Sequence, residues 1–258
     1  MNKTKLALFD VDGTVYKGRS QDSHFDFIQF LSEDEKVPKN IGRKAKELLQ
    51  FLIRETQKYK QKKISHYEWT KAFHTGFAKI VKGENEAEFR KHITRFVEMQ
   101  AKNRGEGFFY GAKLLIEKLK ENGIKIAAIS FTPTMIIEEL LPSLGFEKEF
   151  GVDYKVNKKG EFTGEFEKKI KGFKSRKLEL AREWFSEKTG ENTKKLIFLG
   201  DSTVDYEAAK EGKAKFFAIN PGKELQEICR KEKIKQYKCL KNFIPEVNKK
   251  LSKKITLL

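Results

Sequence analysis

The chain has 258 residues and carries 54 Lys and Arg against 37 Asp and Glu, a net charge of +17. That length can bury a core without disulfide or metal staples, and its two cysteines, Cys229 and Cys239, form no CxxC or metal-ligand spacing, which excludes a disulfide scaffold and a thiolate metal centre. No apolar run approaches the ~20 residues needed to span a bilayer, and the first strand starts by Leu6, leaving no room for a signal peptide, so a soluble cytoplasmic protein is expected.

The first element is Leu6-Ala7-Leu8-Phe9, an apolar run that reads as a strand buried on both faces. It runs straight into Asp10-Val11-Asp12-Gly13-Thr14. Residues i and i+2 of extended chain point to one side and lie roughly 6.6 Å apart, so both carboxylates can reach one small ligand. Their repulsion at ~4–5 Å is worth roughly 3–4 kcal/mol at an intermediate dielectric, so a proton, a cation or solvent must offset it. An Asp-x-Asp-Gly turn after a strand is the plainer alternative.

Helical spacing follows for about ninety residues: Phe25, Ile28 and Leu31; then Ile41, Ala45, Leu48, Leu49 and Leu52. Ser65-His66-Tyr67-Glu68 has the pattern of a capping box and precedes Trp69, Ala72, Phe73, Phe77 and Ile80 on one face. Phe89, Ile93, Phe96 and Val97 give a fourth helix. Gly111 to Glu121 is amphipathic and closes at Asn122-Gly123. Ile124 to Ser130 is a second buried strand, and Met135 to Leu144 the helix after it. Ser130 could be a site hydroxyl or a helix N-cap.

Val152 to Phe166, with a turn at Asn157 to Gly160, reads as a hairpin peripheral to any site. A lysine-rich approach then leads into a helix whose apolar face is read as Leu180, Ala181 and Trp184. Lys195 to Gly200 is another apolar strand, ending in Gly200-Asp201 with Asp205 four residues on. Phe216 to Ile219 is a further strand, and the chain from Gly222 onward reads as helices packed on the sheet. The lysines are interleaved with Glu along nearly the whole chain, which favours solvated faces over a nucleic-acid surface. The most one-sided stretch is Arg230, Lys231, Lys233, Lys235, Lys238 and Lys241, then Lys249, Lys250, Lys253 and Lys254, and it has few aromatic residues on which bases could stack.

The Asp10-Val11-Asp12-Gly13-Thr14 stretch resembles motif I of the haloacid dehalogenase superfamily, and its closest subgroup resembles phosphoserine phosphatase. Ser130-Phe131-Thr132-Pro133 resembles motif II, Lys177 at the head of its helix motif III, and Gly200-Asp201 with Asp205 motif IV. Lys174, one turn earlier, competes with Lys177. The resemblance implies an α/β fold, a Rossmann-like doubly wound parallel sheet built from residues 1–15 and 106–258, with residues 16–105 inserted as an all-helical C1-type cap over the site.

By the same resemblance, Asp10 is the nucleophile that forms an aspartyl-phosphate. Asp12 is the acid and base, and Ser130 and Lys177 hold the phosphoryl group. Asp10, Asp12, Asp201 and Asp205 bind metal, Asp12 through its backbone carbonyl. Oxygen-only ligands select a hard cation, Mg²⁺. An acid at position 12 favours phosphomonoester hydrolysis of a small phosphorylated metabolite over C–halogen cleavage. Arg19 stands where the subgroup has an acidic residue for the substrate amine, which points to an anionic or neutral substrate, although Asp22 is close by. A nucleic-acid end phosphatase held by the basic surface and a binding protein with vestigial chemistry are the alternatives; the oligomeric state is left open.

Overall fold

The computed structural model describes residues 5–20, 22–102, 107–193 and 196–255, with side chains to 247. The expected boundary at 105/106, Lys195 and the side chains of Lys249, Lys250, Lys253 and Lys254 lie outside them.

Strand β1 (Leu6–Phe9) is buried throughout. It pairs in parallel on one side with β2 (Lys125–Pro133) and on the other with β6 (Leu196–Gly200), so that Phe9 sits between Ala128 and Leu199. Beyond β2 lies β3 (Lys148–Val152); beyond β6 lie β7 (Lys215–Ile219) and β8 (Gln236–Tyr237). The order β3-β2-β1-β6-β7-β8 reverses direction at β1. Open parallel sheets bind ligands at the carboxyl end of that switch point, and Asp10 is the residue there.

Alternation along β1 divides the core between two faces. Ala7 and Phe9 join Leu115, Ile116 and Leu119 of α5 (Ala112–Glu121) and Phe243 of α10 (Leu240–Ile255). Leu6 and Leu8 join Leu178, Ala181 and Phe185 of α7 (Phe173–Thr189), Ala208 of α8 (Thr203–Glu211) and Leu225 of α9 (Lys223–Lys231). Helices cover both faces, as a parallel sheet requires.

Between β1 and α5 the chain forms α1 (Ser23–Glu33), α2 (Lys39–Lys60), α3 (His66–Val81) and α4 (Glu86–Lys102). Their shared core is aromatic: the Phe27 ring lies 5.4 Å from that of Phe96, 6.1 Å from Phe89 and 6.3 Å from Phe77. The capping box at Ser65 and Glu68 is formed as expected. This core is continuous with the rest of the molecule, taking in Met135 and Ile136 of α6 (Thr134–Leu140) and Phe162 of β5 (Phe162–Phe166).

Four features depart from expectation. β3 and β8 are short edge strands with polar residues, Lys148-Glu149 and Gln236, that break the apolar pattern. The helix after β2 stops at Leu140, because Pro142 opens a separate short 3-10 turn. The hairpin of β4 (Tyr154–Val156) and β5 is clamped to the α3–α4 turn: Gly83 N–H donates to Phe162 C=O (2.8 Å), Phe162 N–H to Glu84 C=O (2.9 Å) and Glu86 N–H to Gly160 C=O (2.8 Å).

Phe77 is fully buried and Phe51 is 36% exposed. Phe77→Ala is expected to cost about 3–5 kcal/mol and Phe51→Ala less than about 0.5 kcal/mol, read from urea unfolding midpoints. Equal midpoints would show that the helical unit does not unfold with the sheet.

Candidate active site

Asp10 leaves β1 with its N–H on Leu199 C=O at 2.8 Å, and is 4% exposed. Asp201 follows β6, and Asp205 lies in the first turn of α8. One oxygen from each of Asp10, Asp201 and Asp205 lies within 4.8 Å of the others. Two glycines permit this. Gly13 has φ +79°, and a Cβ there would stand 2.2 Å from Asp201 Oδ2. A Cβ on Gly200 would stand 2.5 Å from that of Asp205.

One ammonium offsets part of this charge. Lys174 Nζ donates to Asp10 Oδ1 at 2.5 Å and to Asp205 Oδ1 at 2.6 Å. Asp205 Oδ2 accepts from Ser202 N–H (3.0 Å) and Ser202 Oγ (2.6 Å), closing a capping box on α8. Burial opposes the charge on Lys174, but Asp10 and Asp205 outweigh it and raise its pKa. Burial, then Asp205, drives Asp10 well above the usual carboxylate range against the pull of Lys174. Burial, then Asp205, likewise pushes Asp201 up to about 7. With every group ionised, three carboxylates and one ammonium leave two negative charges on an all-oxygen donor set. That fits a hard dication, to which Asp10, Asp201 and Asp205 each offer an oxygen.

The lysine expectation is corrected on position. Lys177 Nζ stands 3.1 Å from Asp153 Oδ2 and 3.0 Å from Glu167 Oε2, tying α7 to the two ends of the hairpin. Three residues along a helix are about 4.5 Å of rise and some 60° of turn, enough to move an ammonium from the sheet end to the hairpin. The buried face of α7 is Phe173, Lys174, Lys177, Leu178, Ala181 and Phe185; Leu180 is 42% exposed.

Asp12 is held apart from the cluster. Its Oδ1 accepts from Ser23 N–H at 2.6 Å; its Oδ2 accepts from Ser130 Oγ at 3.1 Å and Thr132 Oγ1 at 2.7 Å. Burial, then Asp22, raises its pKa. Ser130 is no helix cap, since β2 runs on to Pro133. It is fully buried, accepts Thr132 N–H and donates to Asp12.

Arg19 is not brought to these groups. Its loop is wound around the buried Asp26, which accepts from Tyr16 Oη (2.8 Å), Arg19 N–H (2.8 Å), Ser20 N–H (3.1 Å) and Ser20 Oγ (2.7 Å). The Arg19 side chain is exposed and lines a separate cleft of about 200 Å³ with Gln29, Glu33 and Met99. The chain then turns back, and Asp22, Ser23 and His24 approach Asp12. Asp22 Oδ1 caps α1 through Phe25 N–H (3.0 Å) and lies 3.0 Å from His24 Nδ1. Thr132 and Ser23 were missed by the sequence reading, though Thr132 follows Ser130 at the same i, i+2 spacing as Asp10 and Asp12.

His66 opens α3 with its ring 5.3 Å from that of Phe131. Burial, then Lys174, pushes it down to about 4. The folded protein therefore binds fewer protons there than the unfolded chain. Its contribution is full above the ordinary His pKa near 6.5 and is lost as pH falls toward about 4. His66→Phe is expected to flatten the decline of thermal midpoint over that window, and an unchanged slope would place the acid sensitivity elsewhere.

The haloacid dehalogenase-like hydrolase profile matches residues 4–213. No curated protein matches in sequence. Among solved structures, a protein of unknown function from Bordetella pertussis Tohama I superposes with a TM-score of 0.70 at 17% identity, over 92% of this chain and 99% of that one. A substrate-bound phosphoserine phosphatase gives 0.59 at 20% identity, over 96% and 99%. A phosphoserine phosphohydrolase-like protein from Francisella tularensis subsp. tularensis SCHU S4 gives 0.56 at 21%, over 91% and 94%. A profile match over most of the chain, on a doubly wound sheet with its acidic cluster at the switch point, shows that this chain belongs to the haloacid dehalogenase-like hydrolases.

Proposed function

We propose that the chain is a Mg²⁺-dependent phosphomonoester hydrolase acting through an aspartyl-phosphate on Asp10, with residues 16–105 as its cap. The observation that carries this reading is the contrast between two carboxylates two residues apart. Asp10 is salt-bridged to Lys174 beside Asp201 and Asp205, while Asp12 is held by hydroxyls and one amide. Paired acids with different surroundings take different roles.

Asp10 attacks phosphorus in line with the ester oxygen. The P–O ester bond breaks, and the leaving oxygen takes the proton of Asp12. Asp12, now a carboxylate, removes a proton from the water that attacks the phosphorus of the acyl phosphate. Asp10 is released as a carboxylate and inorganic phosphate departs. Lys174 offsets the negative charge gathered at Asp10 throughout. Asp10 and Asp201 side chains and the Asp12 carbonyl would hold Mg²⁺, which supplies charge neutralisation and Lewis-acid polarisation of the phosphoryl oxygens. Among the described residues no helix is long and apolar enough to cross a membrane, and Cys229 and Cys239 are unbridged; both fit an enzyme of a reducing cytoplasm.

The substrate in this reading is a small phosphorylated metabolite. The Arg19 side chain lines a cleft that does not include Asp12, whereas Asp22 caps α1 beside Ser23, which donates to Asp12, so an amine-bearing substrate stays within this reading. Solved structures of this fold named as phosphoserine phosphatases make phosphoserine the first substrate to assay.

Hydrolysis of p-nitrophenyl phosphate is expected with Mg²⁺, and neither with EDTA nor in Asp10→Asn. Lys174→Met is expected to lower kcat roughly 10²- to 10³-fold, while Lys177→Met keeps kcat in the wild-type range and loses thermal stability. The reverse ranking of the two lysines would overturn the assignment of Lys174.

A further inference from the structure

Thr132 Oγ1 has one proton and three polar neighbours: Asp12 Oδ2 at 2.7 Å, Ser23 Oγ at 2.9 Å and His24 Nδ1 at 3.2 Å. The direction of each bond follows from what each group can do. Asp22 Oδ1, 3.0 Å from His24 Nδ1, is the side-chain acceptor that caps α1 at Phe25 N–H, and a capping carboxylate oxygen accepts from both. Nδ1 therefore carries a proton, shared between Asp22 and Thr132, and cannot accept from Thr132. The Thr132 proton goes to the carboxylate of Asp12, the closer and stronger acceptor. The Ser23 hydroxyl is shared between Thr132 and Asp12. The His24 N–H from the first turn of α1 thus meets the Thr132 hydroxyl, which passes a hydrogen bond to Asp12.

His24 is fixed for this purpose. It is 4% exposed, its ring centroid lies 4.1 Å from that of Phe73 and 5.8 Å from that of Trp69, and Asp22 holds Nδ1. Its Nε2 is buried with no hydrogen-bond partner among the described residues. An apolar residue of similar size would avoid that cost, so packing alone does not account for an imidazole here; the Nδ1–H does.

We propose that His24 is a positioning residue for Asp12, acting through Thr132 by fixing the direction of its hydroxyl. The proposal rests on the hydrolase reading above. Its effect is felt when Asp12 is a carboxylate, after it has protonated the leaving oxygen and before it takes a proton from water. At those moments a Thr132 proton stabilises the charge, and a Thr132 lone pair turned toward it would repel. Ser23 N–H and Ser130 Oγ also donate to Asp12.

The test uses 4-nitrophenyl, 4-chlorophenyl and phenyl phosphates, which share a shape and differ in how much the leaving oxygen needs a proton. Because kcat/KM reads the steps through phosphoryl transfer, it registers proton donation to the leaving group. Wild type is expected to show a shallow dependence. His24→Phe is expected to lose roughly 30- to 100-fold on phenyl phosphate and under roughly threefold on the 4-nitrophenyl ester. His24→Asn, whose amide N–H can stand where Nδ1–H stood, is expected to recover most of the phenyl phosphate loss; His24→Gln, which reaches too far, is not. If His24→Phe fails to fold, Thr132→Val against Thr132→Ser reads the same steepening. Parallel losses on all esters, or Asn no better than Phe, would overturn the role of His24 while leaving the hydrolase reading intact. A wild type inactive on every ester would remove that reading and this proposal together.

Discussion

One ammonium holds the site together. Asp10, Asp201 and Asp205 would repel strongly in a buried setting, and the carboxylate repulsion is comparable to a large share of a domain's net stability. Lys174 stands between Asp10 and Asp205, with both carboxylates within hydrogen-bond distance. Breaking a buried pair by removing one partner is costly, because the other charge is left uncompensated. The sheet, α7 and α8 are therefore coupled through charge as well as packing: β1 supplies one acid, α8 another and α7 the cation. With every group ionised, two negative charges remain that a dication could offset.

Asp205 does two jobs with two oxygens. Oδ2 closes the capping box that starts α8, and Oδ1 meets Lys174. The helix start and the charge balance thus depend on one side chain. Asp12 is built differently, from hydroxyls of β2 and an amide of α1. In the proposed mechanism the group that gives and takes a proton has neutral donors around it, and the proposed nucleophile is set against a cation. The two environments come from opposite sides of the same strand end.

The strong parts of the fold were legible because burial writes itself into sequence. β1 and β6 are continuous apolar runs, and the acids at their ends mark the switch point. Phe73, Phe77, Phe89 and Phe96 of the helical unit are core, as their spacing implied. What the pattern could not carry was helix phase. Taking Leu180 and Trp184 as the buried face of α7 turns Lys174 away from the sheet, whereas Phe173, Leu178, Ala181 and Phe185 turn it inward. Arg19 misled for another reason: counting positions from Asp10 assumes a loop of standard path, and this one is wound on Asp26. β3 and β8 are edge strands of mixed polarity, so they lack the run that betrays a central strand.

The helical unit is hung on the sheet like a door with a hinge and a latch. Its incoming and outgoing strands run side by side, with Lys17 N–H on Gly107 C=O (2.8 Å) and Phe109 N–H on Val15 C=O (2.8 Å). On another side, the β4–β5 hairpin grips the α3–α4 turn by main-chain bonds, and Phe162 sits in the aromatic core. Main-chain bonds cannot be tuned away by surface substitution, so the grip is insensitive to salt and to the heavy lysine content of the chain. Rotation about the paired strands has to tear the hairpin free or carry it along. The α3–α4 turn is thereby fixed by the hairpin, a piece of the chain that contributes none of the groups proposed for the chemistry.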